Sequence, residues 1–218
     1  MDKIKSKLLW QRLGLNTAEF LQLTPASDWQ SVLDQLGTVV VKPVNGGSSL
    51  GIAIVSDADS LQKQYEIATE YDPNVMAERY IEGKEFSITV LGEELLPAIQ
   101  LETSRQFFDF DAKYVDKGTK IICPPDLSEN KLRELDELAL KAYQSLDCEG
   151  LARVDVMQDQ DESFFLLEVN TVPGMTSHSF VTMAANQAGM DFDELLLQIL
   201  GCELSKRTPS EAGSLGRN

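Results

Sequence analysis

The stretch from Gly150 to Asn170 limits the fold more than any other. Two β-rich runs, Gly150-Leu-Ala-Arg153-Val-Asp155-Val-Met157 and Phe164-Phe-Leu-Leu-Glu168-Val-Asn170, are joined only by the short polar segment Gln158 to Ser163. Strands that close pair as an antiparallel hairpin, because a parallel pair needs a crossover of about a dozen residues or more. Side chains alternate along a strand. Ala152, Val154 and Val156 therefore share one face, and Arg153 and Asp155 the other. On the second strand Phe165, Leu167 and Val169 share a face, with Glu168 and Asn170 opposite. A turn centred between Asp161 and Glu162 sets Asp155 across from Glu168 and Arg153 across from Asn170. Two carboxylates, a carboxamide and a guanidinium then meet on one sheet face. Close carboxylates repel unless a cation intervenes. Asp, Glu and Asn oxygens suit Mg²⁺ that keeps water and phosphate oxygens as its other ligands. An ordinary solvated strand face with a surface ion pair uses the same residue types, and the hairpin alone does not choose between the two.

The rest of the chain alternates helix and strand, which predicts an α+β (or α/β) protein. Residues 4–13 read as a helix ended by Gly14, Thr17 to Leu23 as a strand, and 28–36 as a helix N-capped by Ser27. Val39 to Lys42 is a β-branched strand stopped by Pro43. A glycine-rich loop, Val44 to Gly51, precedes a strand over Ile52 to Val55. Asp57 caps a helix to about Tyr71, and Val75 to Arg79 is a strand. A second unit opens with strands Glu85 to Leu91 and Leu95 to Leu101 and a polar-aromatic loop over 103–119. An amphipathic helix follows over 129–146. After the hairpin come helices near 179–188 and 192–200, the last with an Asp191/Glu194 capping box. The polar tail 205–218 has the composition of a disordered segment.

A net charge of −16 repels phosphodiester backbones and argues against nucleic-acid binding. No run approaches the roughly 20 apolar residues of a membrane helix, and Met1 to Trp10 lacks a signal-peptide core. Cys123, Cys148 and Cys202 are scattered, which fits inert thiols in a reducing cytoplasm. His178 is the one histidine, so paired-histidine mechanisms are excluded. It is expected to hydrogen-bond structurally rather than to catalyse.

The combined string Gly150-Leu-Ala-Arg153-Val-Asp155 … Leu167-Glu168-Val-Asn170-Thr-Val-Pro173-Gly174-Met-Thr-Ser-His-Ser179 closely resembles the C-terminal signature of the D-alanine–D-alanine ligases. Four further stretches are similar to that family. They are Met1-Asp-Lys3 … Trp10, Val41-Lys42-Pro43 … Gly47-Ser48-Ser49-Leu-Gly51, Glu78-Arg-Tyr-Ile-Glu-Gly-Lys-Glu85 and Phe110-Asp-Ala-Lys113-Tyr114. The resemblance implies an ATP-grasp fold, two α+β subdomains with nucleotide bound between them. These would be residues 1–79, with the glycine-rich phosphate loop, and 80–204, with a mobile lid over 103–119 and a metal site.

The family pattern also implies roles. Lys3 and Lys42 would hold ATP phosphates, under backbone N–H groups of the loop around Gly47. Glu78, Arg79, Ile81 and Glu85 would bind adenosine, Glu78 taking the adenine amino group and Glu85 the ribose hydroxyls. Lys113 would approach the γ-phosphate, and Tyr114 with Ser48 would order the closed loop and place substrate. Asp155, Glu168 and Asn170 would hold two Mg²⁺ or Mn²⁺ ions, and Arg153 would steady the developing oxyanion. Ser179 and the backbone at Phe180 would take the second substrate's carboxylate at a helix N-terminus. The plainer alternatives are a Lys42 that snorkels out of its sheet, exposed strand-end glutamates and a Ser179 that only caps a helix. The implied reaction joins two D-alanines through an acyl phosphate, for peptidoglycan precursors and so for cell-wall biogenesis and cell shape. A homodimer is compatible with the full-length enzyme. Another ATP-grasp carboxylate–amine ligase, or an ATP-binding module that does not catalyse, are the rivals. Family members carry a further N-terminal domain that no stretch here resembles. The expectation is thus a chain that binds ATP but ligates poorly alone.

Overall fold

The computed structural model describes residues 1–47, 50–102 and 120–204. The lid expected over 103–119, with Lys113 and Tyr114, the Ser48 hydroxyl and the tail 205–218 lie outside the described residues. Among the described residues no helix is long and apolar enough to cross a membrane.

Helix α1, Lys3–Arg12, is capped by Asp2, whose carboxylate accepts from Lys5 N. Its buried positions are Lys3, Ser6, Lys7 and Trp10, the i, i+3, i+4, i+7 spacing of one helix face. Three of those four are polar, so the inward face does not read as apolar in the sequence.

The first sheet holds β1 (Phe20–Leu23), β2 (Val39–Pro43), β3 (Ala53–Val55) and β4 (Val75–Arg79), antiparallel in the order β1-β4-β2-β3. Helices α2 (Trp29–Leu36) and α3 (Ala58–Thr69) cover one face, where Val39, Val41 and Ala77 pack on Leu33, Leu61 and Tyr65. Alternation turns Val40, Lys42 and Glu78 to the other face. Two boundaries differ from the expected ones. Thr17 does not begin β1; it bridges in parallel to Leu166 of the second sheet. The cap of α2 is Asp28, which accepts from Ser31 N, because the Ser27 hydroxyl is already bonded to Thr24 N in the preceding turn.

The second sheet contains β5 (Lys84–Leu91), β6 (Glu94–Leu95), β7 (Ile99–Glu102), β8 (Lys120–Ile122), β9 (Leu151–Gln158) and β10 (Phe164–Asn170), ordered β10-β9-β5-β7-β8 with β6 paired to β5. The single strand expected over Leu95 to Leu101 is broken into β6 and β7. Pro97 lies in the gap and has no N–H for the ladder. Helix α4 (Glu129–Ser145) covers one face of this sheet, and α5 (Phe180–Gln187) and α6 (Phe192–Leu204) pack at one end of the other. Helix α1 belongs to this body by packing. Trp10 is fully buried with Leu135, Ala139, Val154 and Leu166, and its indole N–H donates to Ser145 Oγ at 3.2 Å. The first sheet ends with β4 at Arg79 and the second begins with β5 at Lys84, while α1 packs against the second.

The hairpin register has Asp155 opposite Glu168 and Arg153 opposite Asn170, as expected, for a different reason. Phe164, Phe165 and Leu166 pair with Gln158, Met157 and Val156, a phase that alone would set Leu167 against Asp155. A bulge between Leu166 and Glu168 slips the register by one. The expected grouping of Phe165, Leu167 and Val169 is therefore wrong. Phe164, Leu166 and Val169 enter the main core, while Phe165 turns to a small cluster with Ala18, Ile81 and Met157.

Candidate active site

A cleft of about 640 Å³ opens between the loop after β2 and the polar face of the second sheet, lined among others by Lys3, Gly47, Arg153, Glu168, Asn170 and Ser179. A separate hollow of about 470 Å³, beside α5 and α6 at Met175, Ala185 and Phe192, contains none of the candidate residues.

On the first wall, Lys3 Nζ donates to Gly46 O at 3.0 Å and lies 3.3 Å from Glu168 Oε2. It thus ties the glycine-rich loop to the opposite wall. Asp72 anchors that loop from behind. One of its oxygens accepts from Asn45 N at 2.6 Å and the other from Asn74 N at 2.9 Å. Burial opposes the Asp72 charge, but the hydrogen bonds from Asn74 and Asn45 hold its carboxyl below the usual range. At the loop's far end Gly51 has φ +71°, and a Cβ there would sit 2.7 Å from the Tyr71 ring. Only glycine fits that backbone so close to an aromatic.

Beneath this wall lies a buried charge cluster. Lys42 does not snorkel; it is buried and pairs with Glu78. Glu78 is no exposed strand end either, being 2% exposed. Its Oε2 also lies 2.7 Å from Lys7 Nζ, without hydrogen-bond alignment. Burial pushes the Glu78 carboxyl up, but the Lys42 and Lys7 ammoniums outweigh it and hold it at about 2. For Lys7 burial wins, lowering it to about 8 against the attraction of Glu78. Arg79 ends β4 exposed, and Ile81 is buried against Ala18 and Phe165.

On the facing wall Arg153 grips Asp155 side-on, with Nε–Oδ1 2.9 Å and Nη2–Oδ2 2.7 Å, and Ser87 Oγ donates to Asp155 Oδ1 at 3.0 Å. Burial works against the Arg153 charge, but Asp155, then Glu168 and Glu85, raise its pKa above the ordinary value. Half-buried Glu85 lies on this same face, two residues before Ser87. Asp155, Glu168 and Asn170 offer hard oxygens at neighbouring positions of paired strands, a donor set that fits a divalent cation. Lys3 and Arg153 now neutralise the two carboxylates. Among the described residues no cluster of three His, Cys, Asp or Glu is poised to hold a metal, so such a site relies on the Asn170 carboxamide.

Ser179 occupies the N-cap position of α5, but its hydroxyl makes no capping bond. It accepts instead from Thr176 N at 2.9 Å, folding the Gly174–Thr176 loop onto the helix start. The Phe180 ring lies 5.7 Å from the Arg153 guanidinium. His178 is exposed at the cleft edge and hydrogen-bonds no described residue, so its expected structural bond is not found.

Lys7, Asp72 and Ser87 were not singled out from the sequence. Lys7 left a signal there: Lys3, Lys7 and Trp10 fall at i, i+4 and i+7, on one helix face with the tryptophan.

The family model described as "D-ala D-ala ligase C-terminus" matches residues 9–201. The D-alanine–D-alanine ligase of Saccharophagus degradans is 51% identical over 201 residues, 92% of this chain and 64% of that protein. A crystal structure of the Bacillus anthracis D-alanine–D-alanine ligase superposes with TM-score 0.82 at 36% identity, covering 94% of this chain and 68% of that one. The same ligase complexed with ATP superposes at 0.81 and 32% identity, covering 94% and 66%. The chain spans 64% to 66% of the length of the curated relatives it matches. Matched by the family model over residues 9–201 and superposing on these ligases over 94% of its length, this chain belongs to the D-alanine–D-alanine ligase C-terminal family and has the ATP-grasp fold.

Proposed function

We propose that this chain binds Mg·ATP between its two sheets, as two subdomains, and serves the ligation of two D-alanines in the cytoplasm. The carrying observation is the opposition of Lys3 and the glycine-rich loop to Arg153, Glu168 and Asn170 across one cleft, with the buried Asp155 held by Arg153. A polyanion flanked by cations and a hard-oxygen set is the arrangement phosphoryl transfer needs, since that reaction calls for positioning and charge neutralisation more than covalent chemistry. Lys42 has three N–H donors and uses one, on Glu78, among the described residues; phosphate oxygens would take the others. Asp155, Glu168 and Asn170 would hold the divalent ions, which supply charge neutralisation at the transferring phosphoryl group.

In this reading ATP phosphorylates the first D-alanine carboxylate, and ADP leaves. The amine of the second D-alanine then attacks the acyl phosphate carbonyl, and phosphate leaves. Arg153, held by Asp155, steadies the oxyanion formed there. Ser179 and the Phe180 N–H orient the second carboxylate. Lys113, Tyr114 and Ser48 keep the roles that the family pattern implies.

Mg·ATP should raise the melting temperature by mass action. ADP release assayed across D-alanine, other amino acids and hydroxy acids tests the substrate. No thermal shift of this chain with Mg·ATP, or ADP release by the full-length protein that ignores D-alanine, overturns the proposal.

A further inference from the structure

The two walls of the cleft meet through one ammonium. Lys3 Nζ donates to Gly46 O at 3.0 Å on the glycine-rich loop and lies 3.3 Å from Glu168 Oε2 on β10. All three residues line the cleft. The Lys3 side chain is nearly buried, while that of Glu168 is partly open. The Lys3 backbone is held independently of its side chain. Its N–H donates to Val44 O at 3.2 Å, and Asp2 caps the helix that it begins. The ammonium can therefore change partner without moving the end of α1.

The two cations of the site hold their carboxylates differently. Arg153 grips Asp155 through two contacts and has the Phe180 ring beside it. A planar fork in such a pair is fixed in place. Lys3 makes a single charge contact from a flexible stem, and an ammonium acts as a point charge with rotatable donors. Lys3 is thus the counter-ion that can leave. A divalent ion at Glu168 has to share that carboxylate with the Lys3 charge, and like charges so close repel. Phosphate oxygens reverse this. They offer the ammonium a new partner on the Gly46 side of the cleft and free Glu168.

We infer that Lys3 makes metal loading conditional on nucleotide: its ammonium keeps Glu168 from a free divalent cation and yields it when phosphates draw the ammonium away. This rests on the proposed reading that Glu168 holds the ion and Lys3 a phosphate. Such coupling is reciprocal, so nucleotide and metal should each tighten the other.

The probe is Mn²⁺ alone, without nucleotide. Loss of the free-ion electron paramagnetic resonance signal gives its affinity for the parent, Lys3→Gln and Lys3→Arg. Glutamine keeps a donor for Gly46 O and loses the charge, while arginine keeps the charge. Lys3→Gln should bind Mn²⁺ about tenfold tighter or more, the scale of a nearby, partly screened like charge. By calorimetry it should bind Mg·ATP more weakly. Lys3→Met, a second neutral variant, should move both affinities likewise, and Lys3→Arg should bind Mn²⁺ as the parent does. A lysine that only supported the fold would not move the two affinities in opposite directions. No rise in Mn²⁺ affinity in the neutral variants, or an equal rise in Lys3→Arg, overturns the inference. A rise that persists in the double variant Lys3→Gln/Glu168→Gln puts the ion elsewhere and rejects the proposed metal site on which the inference rests.

Discussion

Asp155 and Glu168 face each other across β9 and β10 only because Leu167, between Leu166 and Glu168, is left out of the ladder. Without that bulge Glu168 would pair with Val154 and turn into the apolar core. The bulge thus places a carboxylate on the cleft wall and Val169 in the core together. Bulges beside active sites commonly re-aim side chains in this way.

Glu168→Gln tests the role of that carboxylate. The side chain is 29% exposed and its ion pair with Lys3 is partly solvated, so the stability change should be about 1 kcal/mol or less. Phosphoryl transfer should fall by roughly a hundredfold or more, since charge on the metal-side oxygens is lost. Thermal melting and ADP release report the two effects separately. A variant that turns over ATP at the parent rate would show that Glu168 does not serve a metal.

Acid should weaken the fold through Glu78. Its carboxyl falls from an ordinary 4.5 to about 2 in the folded chain. A group depressed on folding contributes stability that is complete above its unfolded value and is lost as pH drops through the folded one. The loss should run from about pH 4.5 toward 2 and reach about 3 kcal/mol. Lys7 is lowered from 10.5 to about 8, so the unfolded chain binds more protons between those values and stability should rise with pH there. Urea unfolding across pH, with the Glu78→Gln curve subtracted, isolates the acid effect. Parallel curves below pH 4.5 would contradict it.

Trp10→Ala should cost about 3–5 kcal/mol, the usual range for emptying a buried tryptophan site. It also removes the donor to Ser145 and loosens α1 from the second sheet. Because α1 carries Lys3 and Lys7, nucleotide affinity should drop with stability. Trp10→Phe should recover most of the stability. Urea denaturation of both variants checks the order.

Asp72→Ala should act on the glycine-rich loop. It removes the acceptor for Asn45 N and Asn74 N and should cost about 1–3 kcal/mol. Mg·ATP affinity should fall further than in Asp57→Ala. That variant removes the cap of α3, which accepts from Ser60 N on its own helix. Equal affinity in the two would show that Asp72 does not order the loop.

Much of the site could be read from local pattern. Alternation put Arg153 and Asp155 on one face, and hairpin closure required β9 and β10 to pair. The motif around Lys42 marked the strand that ends in the glycine-rich loop. Such features depend on neighbours a few residues away, which short-range geometry fixes. The face of Val169 and the burial of Glu78 depend on what packs opposite. A bulge slips the register by one residue, and that slip reverses every side chain beyond it. The side of the molecule to which α1 belongs was likewise a tertiary outcome. Its inward face is Lys3, Ser6, Lys7 and Trp10, and lysines are rarely buried unless paired. Their partners, Glu78 on β4 and Glu168 on β10, lie far along the chain. Only folding brings these carboxylates close enough to make that face an interior one.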